Sequence, residues 1–132
     1  LVGALTLLEV ALGALVRGQV QIASKIIPAI PKNEWLDHAG FIFGAHRAYA
    51  VLLVLALVGL VYLAFQHAEE LWLRRTLWVT AALTLLQPVS GLLMSRFGLP
   101  TALQVFHLWS GSLLLGVLTV IGLLAVRLPS RA

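Results

Sequence analysis

The chain has 132 residues, of which 61% are hydrophobic and 11% are charged. A soluble domain carries about 25% charged residues, so this chain is too apolar to cover itself with a water-facing surface. Its net charge of +4 reflects nine Lys and Arg against five Asp and Glu. The basic residues lie mostly near the ends of apolar stretches, which excludes a basic stripe for nucleic acid. The lack of cysteine excludes disulfides and thiolate metal sites.

Four apolar stretches predict four transmembrane helices, because a helix needs about 20 apolar residues to cross a bilayer. In chain order the predicted spans are 1–16, 40–65, 76–95 and 101–126. No length remains for a second, soluble domain. We therefore predict an all-α integral membrane four-helix bundle that forms a single domain over residues 1–132.

The first stretch is apolar from Leu1 and has no basic region ahead of it. We expect a membrane span whose start was trimmed rather than a signal peptide. We expect this span to end near Val16 and a loop to follow over 17–39. In that loop the run Ile-Pro-Ala-Ile-Pro-Lys-Asn-Glu is rich in helix breakers.

The later stretches are joined by short connections. The connection over 66–75 carries Trp72, a predicted interface anchor. Pro88 is expected to interrupt the third span, and Gly98 and Pro100 mark the turn that follows it. Connections this short make sequential helices antiparallel neighbours.

The two halves of the chain contain an internal repeat. The segment TLLEVALG at 6–13 aligns without gaps on TLLQPVSG at 84–91. Each segment is followed by a short apolar run and an arginine, Arg17 or Arg96. The sequence therefore predicts two copies of a helical hairpin, related by a pseudo-twofold axis along the membrane normal.

Each hairpin carries one histidine near the start of its second span. His46 and His107 each lie about six residues past that start, so a rise of 1.5 Å per residue places both roughly 9 Å below the same face. Two imidazoles at one depth, on symmetry-related helices, suit a flat ligand on the axis, and haem iron takes two axial histidines. We predict bis-histidine haem ligation by this pair. The alternative is that both histidines only hydrogen-bond between helices.

Further polar residues fit the same interpretation. Arg47, Arg17 and Arg96 lie at the histidine face, where they are predicted to bind haem propionates; ordinary snorkelling at a helix end is the alternative. Glu9 and Gln87 occupy one repeat position inside the membrane. A neutral Glu9 that is hydrogen-bonded to Gln87 is the simpler interpretation, and a proton donor is the other.

The remaining two histidines are weaker candidates. His67 lies at the opposite end of the second span and is interpreted as interfacial. His38 precedes that span and is interpreted as a solvated loop residue, with a position at the haem edge as the alternative.

The distribution of basic residues leaves the orientation nearly balanced. Five lie on the histidine face, and four on the other: Arg74, Arg75, Arg127 and Arg131. If propionates neutralise part of the first group, the positive-inside rule favours the Arg74 face as cytoplasmic. We then expect the haem site toward the outer face of the cell inner (cytoplasmic) membrane.

Several motifs carry a family resemblance over nearly the whole chain. They are Gly13-Ala-Leu-Val-Arg17, His46-Arg47, Leu86-Gln-Pro-Val-Ser-Gly91, Leu99-Pro100 and Gln104-Val-Phe-His107. Together they resemble the haem A synthase (CtaA/Cox15) family, whose usual members have eight helices in two four-helix halves. The resemblance implies that this chain corresponds to one half, with His46 and His107 as axial ligands.

One position bears on which half the chain resembles. The family's first half, which takes the substrate haem O, has a glutamate three residues before the histidine of its second helix. Phe43 stands at that position here. The chain therefore resembles the second half, which holds haem b, and its lack of cysteine gives no support to thiol redox coupling.

The resemblance implies a role in oxidising the haem O methyl group to the formyl group of haem A. Its expected partners are haem, a second four-helix half or identical subunits, a membrane electron donor and the lipid bilayer, with no nucleic acid. The half alone is expected not to be catalytic, because bis-histidine ligation leaves no open iron position. The alternatives are a bis-histidine electron-transfer cytochrome b subunit and a haem-free membrane scaffold.

Overall fold

The computed structural model describes residues 2–26 and 31–127. Over these residues the chain forms four long helices and no strands. They are α1 (Val2–Ile26), α2 (Gly40–His67), α3 (Leu71–Arg96) and α4 (Thr101–Arg127). All four are long and apolar enough to cross a membrane, which confirms the all-α membrane bundle expected from composition.

The predicted end of the first span is wrong. α1 continues ten residues beyond Val16, to Ile26, so the first ten residues of the expected loop are helix. The reason is that residues 17–26 contain no proline and are mostly compatible with a helix. Ala23, which is only 8% exposed, packs this extension against the rest of the protein. Pro28 and Arg131 lie outside the described residues.

The rest of the first connection is short and partly helical. Two 3-10 helices, Lys32–Glu34 and Asp37–Ala39, precede α2. The second of them packs on α1, where Val16, Leu36 and Ala39 form a small buried cluster. This cluster closes the end of the bundle at which α2 and α4 begin.

The third helix also differs from its predicted bounds. α3 starts at Leu71, five residues earlier than expected, and the backbone N–H of Arg74 donates to the Glu70 carbonyl at its first turn. Pro88 does not interrupt α3, which is continuous through it. A proline inside a helix removes one backbone hydrogen bond, and a membrane helix tolerates this where neighbouring groups compensate.

The four helices form a ring in which sequence neighbours are in contact. α1 packs on α2 and α4, and α3 packs on the same two helices. α2 and α4 are therefore diagonal across the bundle, and their starts share one end. This arrangement puts the first residues of both helices on either side of the bundle axis.

Away from that end the interior is filled by leucine. Leu53, Leu57, Leu83, Leu114 and Leu118 form one buried cluster, and Leu57 is only 1% exposed. Because lipid is as apolar as leucine, close packing rather than transfer from water is what favours this contact. The bundle is thus solid in its middle, and a cavity lies between this leucine cluster and the starts of α2 and α4.

A tight turn joins α3 to α4. Gly98 has φ +67° and Leu99 has φ +57°, so two successive residues adopt the left-handed conformation. The Leu99 carbonyl accepts a hydrogen bond of 2.6 Å from the Gln104 amide in the first turn of α4. This contact fixes where α4 starts, and so the depth of the residues that follow.

Candidate functional site

His46 lies six residues into α2 and its ring packs on α1. A Cβ added to Gly13 would be 3.3 Å from the Cε1 atom of His46, which is closer than side chains normally approach. The missing side chain at this position therefore makes room for the imidazole. His46 is 21% exposed, as expected for a residue that faces a cavity.

His107 has the same setting in the second hairpin. It lies six residues into α4, and a Cβ on Gly91 of α3 would be 3.7 Å from its Cε1 atom. Gly13 and Gly91 occupy the same position of the repeat. The repeat found in the sequence is therefore also present in the packing, with one histidine on one glycine in each hairpin.

A polar neighbour lies beside the Nδ1 atom of each ring. The His107 Nδ1 is 2.7 Å from the Ser90 hydroxyl of α3, and Ser90 is 2% exposed. The His46 Nδ1 is 2.9 Å from Glu9 Oε1 of α1, although this oxygen lies out of line for an ideal hydrogen bond. With a polar group beside Nδ1 of each ring, Nε2 is the ring nitrogen that is the candidate to bind a metal.

The predicted pairing of Glu9 with Gln87 is wrong. Gln87 instead donates through Nε2 to the Ser110 hydroxyl at 2.7 Å, while Glu9 contacts His46. Both residues therefore use partners in their own hairpin and do not meet across the pseudo-twofold axis. Equal repeat positions placed the two side chains at matching depths but did not bring them into contact.

Both histidines line a single cavity between the four helices. Its volume is about 560 Å³, within the range of about 300–1,000 Å³ that is common for ligand and cofactor pockets. The lining is mostly apolar and includes Thr84, whose hydroxyl is buried with no hydrogen-bond partner in the described part of the chain. Exposed side chains such as Val51 and Leu92 form its rim, so the cavity opens toward the lipid-facing surface.

The three arginines singled out in the sequence are not equivalent. Arg17 and Arg47 line the cavity and are exposed, so each guanidinium can reach both the cavity and solvent. The Arg47 guanidinium also lies 5.4 Å from the centre of the Phe43 ring. Arg96 is exposed at the end of α3 and is not among the residues that line the cavity.

The other two histidines lie away from the cavity. His67 is the last residue of α2, at the opposite end of that helix from His46. His38 is exposed in the second 3-10 helix and is not a lining residue. Within the described residues no three side chains among His, Asp and Glu come together as a metal-binding group. Haem needs only two protein ligands, because the porphyrin supplies the other four nitrogens.

Sequence reasoning missed several residues that shape the site. Ser90 and Ser110 are the partners of His107 and Gln87, and Tyr49 of α2 donates through its hydroxyl to the Leu5 carbonyl of α1 at 3.1 Å. Ser90 directly precedes Gly91, the glycine that faces the His107 ring. Its place in the repeat segment was the sequence feature that could have identified it. Ser110 lies one turn after His107 on the same helix face.

A model of the COX15-CtaA family, described as cytochrome oxidase assembly protein, matches residues 1–119. No curated protein and no solved structure matches the chain. The family match covers all four helices up to Thr119, and so includes both histidines, both ring-facing glycines and the cavity between them. The chain therefore belongs to the COX15-CtaA family of cytochrome oxidase assembly proteins, the haem A synthase family.

Proposed function

We propose that this chain is the haem-b-binding half of a haem A synthase and that His46 and His107 would hold the haem iron. One observation carries the proposal: two histidines at matching repeat positions line a single cavity from diagonal helices. Each ring has a polar partner at Nδ1, as histidine ligands of metals commonly do.

The cavity suits a porphyrin in its volume and lining. Most of its wall is apolar, as a macrocycle requires, and its charged groups lie to one side. Arg17 and Arg47 both come from the first hairpin, whereas the equivalent repeat positions hold Ser95 and Leu108. Haem propionates would therefore be held by charge-assisted bonds to the first hairpin. A contact with Arg96 would require its side chain to turn toward the cavity.

Bound haem would supply a one-electron redox centre at this depth of the membrane. With His46 and His107 both bound to the iron, this half would deliver electrons or support the fold rather than activate oxygen. Phe43 packs at the cavity edge where the first half of the family carries a glutamate, which supports assignment to the second half. The methyl oxidation of haem O would then take place in a second four-helix half, because an identical subunit would also carry Phe43 in place of the glutamate.

The family match favours this function over an unrelated cytochrome b or a haem-free scaffold. The expected setting is the cell inner membrane, with the haem site toward the outer face and a membrane donor supplying electrons. Arg17 and Arg47 line the cavity on the histidine face, where propionates would neutralise them. The positive-inside rule then favours the opposite face as cytoplasmic, which supports this orientation.

The test is the absorption spectrum of purified protein with single histidine substitutions. We expect His46→Ala and His107→Ala each to lose the low-spin haem spectrum, because each removes one axial ligand. His67→Ala is the matched control: this histidine ends α2 far from the cavity, and the spectrum should be unchanged. Wild-type spectra in both cavity variants would end the ligand assignment.

A further inference from the structure

The two candidate ligands are related by the repeat, but their immediate neighbours differ in charge. His46 faces the carboxylate of Glu9 at 2.9 Å, and His107 faces the neutral hydroxyl of Ser90 at 2.7 Å. The repeat equivalent of Glu9 is Gln87, which is turned to Ser110. Only one of the two rings therefore has a carboxylate at Nδ1.

The surroundings of Glu9 concentrate its effect on that ring. Its side chain is 14% exposed, and its second oxygen, Oε2, is buried with no hydrogen-bond partner among the described residues. Within the same residues, His46 is the one basic group within 4 Å of this carboxylate. In an interior of low dielectric constant, a carboxylate with a single polar neighbour acts strongly on that neighbour.

A carboxylate beside the imidazole nitrogen that does not bind the metal changes the properties of the imidazole as a ligand. It orients the ring and raises the basicity of the ligating nitrogen. A more basic ligand stabilises ferric over ferrous iron, and ligand character is one of the means by which a protein sets a haem potential. A neutral hydroxyl orients its ring as well but adds little to its basicity.

We propose that Glu9 is a positioning residue that fixes the His46 ring and makes it the more electron-donating of two unequal axial ligands. The inference rests on the proposed haem ligation. Glu9 would lower the haem midpoint potential. The second hairpin would have no such effect, because Gln87 and Ser90 are both neutral.

The experiment is a redox titration of purified protein reconstituted with excess haem, at one fixed pH. Glu9→Gln keeps the shape of the side chain and removes its charge, so the midpoint potential should rise while the spectrum stays low-spin. Glu69→Gln is the matched control, since Glu69 is exposed at the far end of the bundle, and its potential should equal that of the wild type. Ser90→Ala removes a neutral partner and should shift the potential less than Glu9→Gln.

A second variant tests the proposal if the Glu9→Gln protein is not produced in folded form. Glu9→Asp keeps the charge but withdraws it by one methylene, so its potential should lie above the wild type and below that of Glu9→Gln. A potential at or below the wild-type value in either variant, with low-spin haem bound, would overturn the role of Glu9. Wild-type protein that binds no low-spin haem would instead overturn the proposed function, before any potential is measured.

Discussion

At the scale of single residues, the candidate site depends on what lies behind each imidazole. A glycine on the preceding helix leaves space for the ring, and a polar group at Nδ1 limits its rotation. Rings held from behind in this way need little reorganisation to accept a metal, since their orientation is set before binding. The two glycines fit their rings with different tightness, and this difference can be tested.

We expect Gly13→Ala to weaken haem binding more than Gly91→Ala. The new methyl group would be 3.3 Å from the His46 ring in the first case and 3.7 Å from the His107 ring in the second, an ordinary contact. Overpacking costs about 1–3 kcal/mol, so the haem affinity of Gly13→Ala should fall about 5- to 150-fold. Haem titration of the purified variants measures this.

Gly91→Ala serves as the internal control for that comparison, because it makes the same substitution at the same repeat position. Its haem affinity should stay within about threefold of the wild type, since the methyl group meets no close contact. Equal affinities in the two variants would contradict the packing described for His46.

The sequence located the candidate residues better than their partners. Repeat alignment and helix spacing brought His46 and His107 to matching depths, because depth follows directly from residue number in a helix. The contact of Glu9 with His46 was not foreseen, since it depends on which helices are neighbours and on side-chain direction. Alignment of Glu9 with Gln87 says only that the two positions are equivalent, not that they meet.

At the scale of helices, the presence of four membrane helices could be predicted from the apolar stretches, but the residues at which these helices end could not. α1 extends to Ile26 because polar residues such as Gln19 and Gln21 do not end a helix, although they end an apolar stretch. α3 begins at Leu71 for the same reason, as Arg74 and Arg75 continue the helix beyond its apolar part. Hydropathy thus predicts the part of a helix suited to lipid rather than the whole helix.

The α3–α4 turn sets the depth of His107 through an unusual backbone. Gly98 has φ +67°, a conformation that costs residues with a side chain about 1–2 kcal/mol. We expect Gly98→Ala to lower the stability of the protein by about that amount, measured by thermal unfolding in detergent.

Gly59→Ala is the control for the turn. Gly59 lies within α2, and a Cβ there would meet nothing within 4 Å, so alanine should leave stability unchanged or raise it by up to about 1 kcal/mol. If both alanine variants unfolded at the same temperature, the left-handed turn would not carry the cost assigned to it.

At the scale of the whole molecule, two similar hairpins enclose one cavity with an uneven distribution of charge. The first hairpin supplies Glu9, Arg17 and Arg47, while the second lines the cavity with neutral groups. Two repeated hairpins therefore hold an asymmetric site, in which one hairpin would orient both the propionate edge and the more basic ligand. The leucine cluster below the cavity packs the four helices against one another and so supports the site.

The most direct measurement of the central claim is the haem content and spin state of the purified protein. Pyridine haemochrome analysis with electron paramagnetic resonance of the oxidised protein gives both. We expect one haem b per chain, in a low-spin state with two histidine ligands. Protein that carries no haem, or haem in a high-spin state with an open coordination position, would contradict it.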